Sequence, residues 1–276
     1  MTLAQYLAEL EQELVVAGEE AESLSFVYRA LNKLSFTDFV LKLRIEVSQE
    51  EREQLKAIQK QLLAHKPAQY IIGSSDFHGL NLKVDERVLI PRPETEELVE
   101  LILSENLETP LSVLDIGTGS GAIALALANS RPDWQITASD LSSDALSLAR
   151  ENAQSCGLNL TFVQSDCLEA IRGSFDIVVS NPPYISEADK DEVGLNVLTS
   201  EPHMALFAEE DGYAIYRKIA EQAGAYLTEK GKIYLEIGYK QGDAVRDLLK
   251  ESFPQKRIRV LKDQFGKDRM VAMDNG

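Results

Sequence analysis

Apolar positions recur at helical spacing through the first seventy residues. Leu3, Tyr6, Leu7, Leu10 and Leu14 fall on one helix face, and Leu24, Val27, Tyr28 and Leu31 on another. Ser48-Gln49-Glu50-Glu51 has the form of a capping box, in which the serine oxygen accepts an orphan N–H and the glutamate reaches back. Leu55, Ile58 and Leu62 continue as a buried stripe, and Pro67 is expected to stop that helix. The pattern then changes. Tyr70-Ile71-Ile72-Gly73 and residues 80–84 read as short strands around Gly79, which predicts a hairpin. Pro91-Arg92-Pro93 rules out a helix over those three residues, while Glu94, Thr95, Glu96 and Glu97 suit a helix N-terminus, where acidic side chains meet the positive end of the dipole.

From residue 111 the chain alternates between the two periods. Candidate strands cover 111–116, 135–139, 160–164, 175–180, 232–237, 257–261 and 269–273, with helical patterns over 122–130, 144–154 and 214–226. Strand–helix alternation predicts an α/β sheet of seven strands. A short loop joins the last two strands, so they are expected to be antiparallel. Three segments follow: a helical domain over 1–69, a hairpin linker over 70–90, and an α/β domain over 91–276.

Charge and cysteine usage narrow the chemistry. The net charge of −17 and a pI near 4.7, without a Lys/Arg cluster, demote nucleic acid as a direct partner. Cys156 and Cys167 form neither a disulfide framework nor a C-x-x-C, and the three histidines lack metal-ligand spacing, so no metal is expected. No basic-then-apolar leader and no membrane-length apolar run occur, which predicts a cytoplasmic chain with no membrane partner.

Two motifs carry chemistry. Asp115 and Ile116 end the first sheet strand, and Gly117, Thr118, Gly119, Ser120 and Gly121 open the next helix. The glycines let the backbone approach a ligand, and the helix N-terminus points free N–H groups at it. The spacing is G-x-G-x-G, not the dinucleotide fingerprint G-x-G-x-x-G. Asp140 ends the second strand, where a carboxylate can accept both ribose hydroxyls. A ligand with a ribose but no pyrophosphate fits, and S-adenosylmethionine is such a ligand. Asp166 and Cys167 follow the third strand, where the adenine would lie. Asp166 either accepts from the adenine amine or caps the next helix, and Cys167 reads as a small apolar residue.

The second motif is Asn181-Pro182-Pro183-Tyr184, directly after the fourth strand. Two prolines stiffen the backbone and leave the Pro182 carbonyl without a ladder partner. With the Asn181 side-chain carbonyl it makes two fixed acceptors, suited to an –NH₂ group, and Tyr184 offers a flat face. A carboxamide nitrogen is a poor nucleophile, and acceptors on both N–H groups would orient it and stabilise the charge that develops on it.

These residues, with Pro67 to Gly73, Leu89 to Glu96, Glu201-Pro202, Asp211-Gly212 and Leu235-Glu236-Ile237-Gly238, resemble the HemK/PrmC family of protein-(glutamine-N5) methyltransferases. The resemblance implies a class I, Rossmann-like, seven-stranded methyltransferase domain and a helical domain that contacts the substrate. It implies S-adenosylmethionine as donor and the Gly-Gly-Gln glutamine of class 1 peptide chain release factors as acceptor, in the cytoplasm and with the enzyme a monomer. The glycine turn, Asp140 and residue 167 would hold the donor. Asn181 and Pro182 would hold the amide. Family members often carry an aromatic residue where Cys167 stands, which puts adenine stacking there in doubt. Arg92 and Glu201 match family motifs without a role that follows from spacing; a surface or interdomain salt bridge is their ordinary reading. Adenine-amino methyltransferases of DNA and RNA share Asn-Pro-Pro-Tyr, and a binding module that has lost turnover would keep the same motifs. Methyl transfer to protein or to nucleic acid, or to neither, separates these alternatives.

Overall fold

The computed structural model describes residues 1–106 and 110–276. Five helices come first: α1 (Leu3–Val16), α2 (Glu22–Leu31), α3 (Phe36–Lys42), α4 (Gln49–Leu63) and α5 (Ala68–Ile72). Strands β1 (Ser74–Phe77) and β2 (Leu80–Lys83) precede α6 (Pro93–Glu105), β3 (Ser112–Ile116), α7 (Ala122–Ser130), β4 (Gln135–Asp140), α8 (Ser143–Cys156), β5 (Thr161–Gln164) and β6 (Phe175–Ser180). Then come α9 (Leu195–Ser200), α10 (His203–Leu206), α11 (Glu209–Gly212), α12 (Ala214–Gln222), β7 (Leu227–Glu236), α13 (Gly242–Ser252), β8 (Arg257–Lys262) and β9 (Asp268–Asp274). The chain divides into two compact units, one of residues 1–75 with 193–201, the other of 76–192 with 202–276.

In the first unit the expected stripes of α1 and α4 are buried, together with Leu24, Val27 and Tyr28 of α2. Leu31 is 41% exposed and lies off that stripe. The Ser48 capping box forms, and Thr2 with Gln5 makes a second one at the start of α1 that the reading of the sequence missed. The Ser200 hydroxyl donates to the His65 carbonyl at 3.1 Å.

Residues 70–73 are not a strand. Ala68–Ile72 is one helical turn closed by Gly73 at φ 83°, whose N–H donates to the Gln69 carbonyl. Tyr70 is buried, and Ile71 and Ile72 pack on the helical core. A short apolar run has no distinguishing period, so burial on the bundle decides its conformation. Pro67 does not end α4, which stops at Leu63; Pro67 instead precedes this turn. The hairpin is β1 with β2, turning at His78-Gly79.

In the second unit a seven-stranded sheet runs in the order β5-β4-β3-β6-β7-β9-β8. Its first five strands are parallel, and β9 runs antiparallel to both neighbours. Strand side chains alternate between two cores. Val113, Ile136, Ile177, Val179 and Tyr234 enter one; Leu114, Ile116, Val178, Ile233 and Leu235 enter the other. Sheets covered on both faces read as near-continuous apolar runs, as these do. Helix α7 is apolar nearly all round, and seven of its residues are buried. Each fully buried large side chain stabilises the fold by about 1.5–3 kcal/mol.

Topology locates the site. The chain steps outward from β3 to β4 and β5, then returns to the other side of β3 with β6 and β7. Strand order therefore reverses between β3 and β6, and a crevice opens at their carboxyl ends. Register brings the candidate residues together there. Ile116 pairs with Ser139 and Ser180, and Ser180 pairs with Leu235. The residues that follow these pairs are Gly117, Asp140, Asn181 and Glu236.

Candidate active site

A cavity of about 180 Å³ occupies this crevice. Gly117, Thr118, Gly119, Ser120, Asp140, Asp166, Cys167, Asn181, Pro182 and Pro183 all line it, as do Arg92 and Thr95. Two expected site residues, Gly121 and Tyr184, are not among its lining.

The glycine turn is built from local bonds. The buried Asp115 carboxylate accepts the Thr118 hydroxyl at 2.6 Å, and the Thr118 N–H donates to the Ser139 carbonyl at 2.9 Å. Gly119 sits at φ 55°, and a Cβ built there would meet nothing within 4 Å, so its outer side is free for close approach by a ligand. Its N–H donates to Asp140 Oδ2 at 2.9 Å, while Ser142 N–H holds Oδ1 at 2.8 Å. The carboxylate keeps acceptor capacity beyond these bonds for a hydroxyl donor. Burial raises the Asp140 pKa, against the backbone N–H groups that lower it. Burial also pushes Asp115 up to about 7, opposed by the Thr118 hydroxyl and the Ala124 backbone N–H and helped by the charge of Asp140.

Two further residues around this turn escaped the reading of the sequence. Asn152 of α8 donates to the carbonyls of Ser120 and Lys83 at 2.9 and 3.0 Å, and its Oδ1 accepts the Lys83 N–H at 2.8 Å. It thus fastens the glycine turn to the hairpin. The Ser165 hydroxyl, not Asp166, accepts the Ala170 N–H at 3.0 Å. The Asp166 carboxylate is bridged instead by Lys218, which stands 2.8 Å from both oxygens. Cys167 adopts φ 49° and buries its thiol, which burial pushes up to about 12, so it stays protonated and apolar.

On the other wall, Asn181 Nδ2 donates to Thr95 Oγ1 at 3.1 Å, and Thr95 Oγ1 donates to Glu236 Oε2 at 2.7 Å. Thr95 and Glu236 are buried, 4% and 2% exposed. Burial pushes Glu236 up to about 7, with Glu94 adding to the shift and hydrogen bonds from Thr95 and the Asn181 amide, and the Arg269 charge, opposing it. Tyr184 packs against the core shared by α12, α13 and β7. Its carbonyl accepts from Gln241 Nε2 at 3.0 Å, and Gln241 Oε1 accepts the Gly238 N–H at 2.9 Å. Gly212, at φ 88°, lies so close to the Tyr184 carbonyl that a Cβ would overlap it. Glu210 and Asp211 just before it also take positive φ. Tyr184 therefore anchors the turn and does not face the cavity.

The PrmC N-terminal domain family matches residues 5–73, and the Methyltransferase small domain family matches residues 99–206. A release factor glutamine methyltransferase of Streptococcus pneumoniae is 66% identical over 100% of this chain and 99% of its own length. The chain belongs to the release factor glutamine methyltransferase family. The family's protein from Lactococcus lactis is 52% identical over 92% of this chain and 94% of its own length, and that from Enterococcus faecalis is 43% identical over 94% of each.

Among solved structures, a Pyrococcus furiosus methyltransferase aligns with TM-score 0.55 at 19% identity, over 81% of this chain and 98% of its own. The Thermus thermophilus 16S rRNA N2 G1207 methyltransferase, solved with AdoMet and guanosine, aligns with TM-score 0.51 at 18% identity, over 74% of this chain and 50% of its own. These two likenesses establish the fold. In this glutamine methyltransferase the methyl donor is S-adenosylmethionine, and the glycine turn, with its open outer side and pinned Asp140, fits it. Of the two family-motif residues without an assigned role, Arg92 lines the cavity, while Glu201 is 3% exposed and so is no surface group. Among the described residues no helix is long and apolar enough to cross a membrane.

Proposed function

We propose that the protein transfers a methyl group from S-adenosylmethionine to the side-chain amide nitrogen of the glutamine in the Gly-Gly-Gln motif of class 1 peptide chain release factors, acting as a cytoplasmic monomer. The observation that carries this reading is one cavity lined both by the glycine turn with Asp140 and by Asn181 with Pro182.

When bound, S-adenosylmethionine would supply the methyl group from its sulfonium: the S–CH₃ bond breaks as the N–CH₃ bond forms, the sulfur leaves as a neutral thioether, and the amide nitrogen gives up one proton to water. Asp140, pinned by backbone N–H groups, turns its remaining acceptor capacity to the ribose hydroxyls. Cys167 and Ile116 give apolar wall, and Asp166, neutralised by Lys218, stands beside them. Asn181 Oδ1 and the Pro182 carbonyl accept the two N–H groups of the glutamine amide. This fixes the nitrogen in line with the methyl group, the contribution that positioning makes to a displacement. The same two oxygens stabilise the positive charge that develops on nitrogen as the bond forms.

The test is tandem mass spectrometry of a purified release factor after incubation with the protein and S-adenosylmethionine. The expected result is one added methyl on the Gly-Gly-Gln glutamine. An unmodified release factor, with label passing to nucleic acid, would instead assign the site to adenine.

A further inference from the structure

The Asn181 carboxamide can turn through half a revolution with almost no change in shape. One orientation presents its carbonyl oxygen to the cavity, and the other presents its –NH₂. Only the first can receive an incoming –NH₂ group, because the second sets donor against donor. Nothing in Asn-Pro-Pro-Tyr itself chooses between them. Two prolines fix the backbone and leave the terminal torsion of Asn181 free.

The choice is made behind Asn181. Thr95 enters from the first turn of α6, and Glu236 is the last residue of β7, placed beside Asn181 by the pairing of Ser180 with Leu235. The Thr95 hydroxyl spends its single proton on Glu236 at 2.7 Å, so toward Asn181 it offers only lone pairs. The Asn181 –NH₂ donates to that oxygen at 3.1 Å and also supports the Glu236 carboxylate. A flipped amide would bring a carbonyl oxygen against a threonine oxygen and a carboxylate. In a site this buried, unpaired acceptors are costly.

Resting on the proposed amide methylation, we propose that Thr95 and Glu236 are positioning residues for that reaction, which hold the Asn181 carboxamide with its oxygen toward the substrate nitrogen. The polarity runs from Asn181 N–H to Thr95 O–H to Glu236. This gives a role to Thr95 and Glu236, one from each of the two stretches Leu89 to Glu96 and Leu235 to Gly238.

The experiment uses the full chain with a purified release factor and S-adenosylmethionine, comparing Thr95→Val, Thr95→Ser and Glu236→Gln. Valine keeps the shape and removes the hydroxyl. Glutamine removes the carboxylate charge, weakening the pull on the Thr95 proton, and in one of its two orientations sets an –NH₂ against Thr95 that turns this proton toward Asn181. Thr95→Val and Glu236→Gln are expected to lower kcat about 10- to 100-fold, the scale of a hydrogen bond to a charged group. The KM for release factor and the calorimetric Kd for the donor should stay within about threefold. Thr95→Ser, which restores the hydroxyl, should recover kcat. Unchanged kcat in Thr95→Val, or a serine variant as slow as valine, would overturn the proposal.

A second measurement needs neither turnover nor a variant. In the NMR spectrum of the wild-type protein, the Asn181 side-chain amide protons should give cross-peaks to the Thr95 γ-methyl. Their absence, with both groups assigned, would mean that the oxygen faces Thr95, and the proposal fails. If the cross-peaks are present and wild type does not modify release factor, the fault lies with the proposed reaction and the amide orientation stands.

Discussion

The glycine turn after β3 is held mainly by residues within a few positions of it or at the end of the neighbouring strand, with one distant bond from Asn152 of α8, whereas the Asn181 turn after β6 is held from three distant stretches of chain. Asp115 and Thr118 are three residues apart, and Asp140 lies one strand away. The Asn181 turn depends on Thr95, on Gly212, and on Glu236 with Gln241. Each wall is backed by a buried carboxylate pushed up to about 7, but the two differ in kind. Asp115 supports the backbone turn through the Thr118 hydroxyl. Glu236 terminates a relay that ends on the side chain facing the substrate. The donor wall thus works through backbone shape, and the acceptor wall through the orientation of one amide.

Breaking the distant supports should cost most. Gly212→Val forces a side chain into the Tyr184 carbonyl and Gln241 at a positive φ, and should destabilise the protein by about 3 kcal/mol or more, read by urea denaturation. An unaltered midpoint would mean that Gly212 does not clamp the turn.

Breaking the donor wall should be selective. Asp140→Ala is expected to weaken calorimetric donor binding by about 10- to 100-fold through lost charge-assisted hydrogen bonds, with a much smaller change in kcat at saturating donor. Equal donor affinity in wild type and variant would remove Asp140 from the donor site.

The smallest effect sharpens the contrast between the two carboxylates. Both pKa values are raised on folding, Glu236 from 4.5 and Asp115 from 3.8, each to about 7. Between those limits the folded state binds more protons than the unfolded state, so their contribution to stability is present at low pH and lost as pH rises toward about 7. Glu236→Gln and Asp115→Asn should each flatten that decline in denaturation measured across the window. A variant with the wild-type slope would show that its carboxylate does not titrate there.

The difference between the walls also explains what the sequence revealed. Strand, glycines, helix and later acid lie in register along a short stretch, so the donor turn could be read from spacing. Asn181 and Pro182 were legible from what prolines do to a backbone. Thr95 read only as part of a helix start, and Glu236 only as a residue in a family motif, because their contact with Asn181 exists solely through the β6–β7 register and the placing of α6. Tyr184 read as a flat face for substrate; its anchoring by Gln241 and Gly212 has no local signal. The apolar turn at 68–72 failed for a related reason, since burial on the helical core overrides what four residues of pattern can specify.

The most direct measurement pairs wild type with Asn181→Ala, scoring methylation of the release-factor glutamine by mass spectrometry and donor Kd by calorimetry on the same preparations. The account predicts that wild type modifies the Gly-Gly-Gln glutamine, and that the variant loses about 100-fold or more in kcat while its donor Kd changes little. Turnover by Asn181→Ala equal to wild type would contradict it.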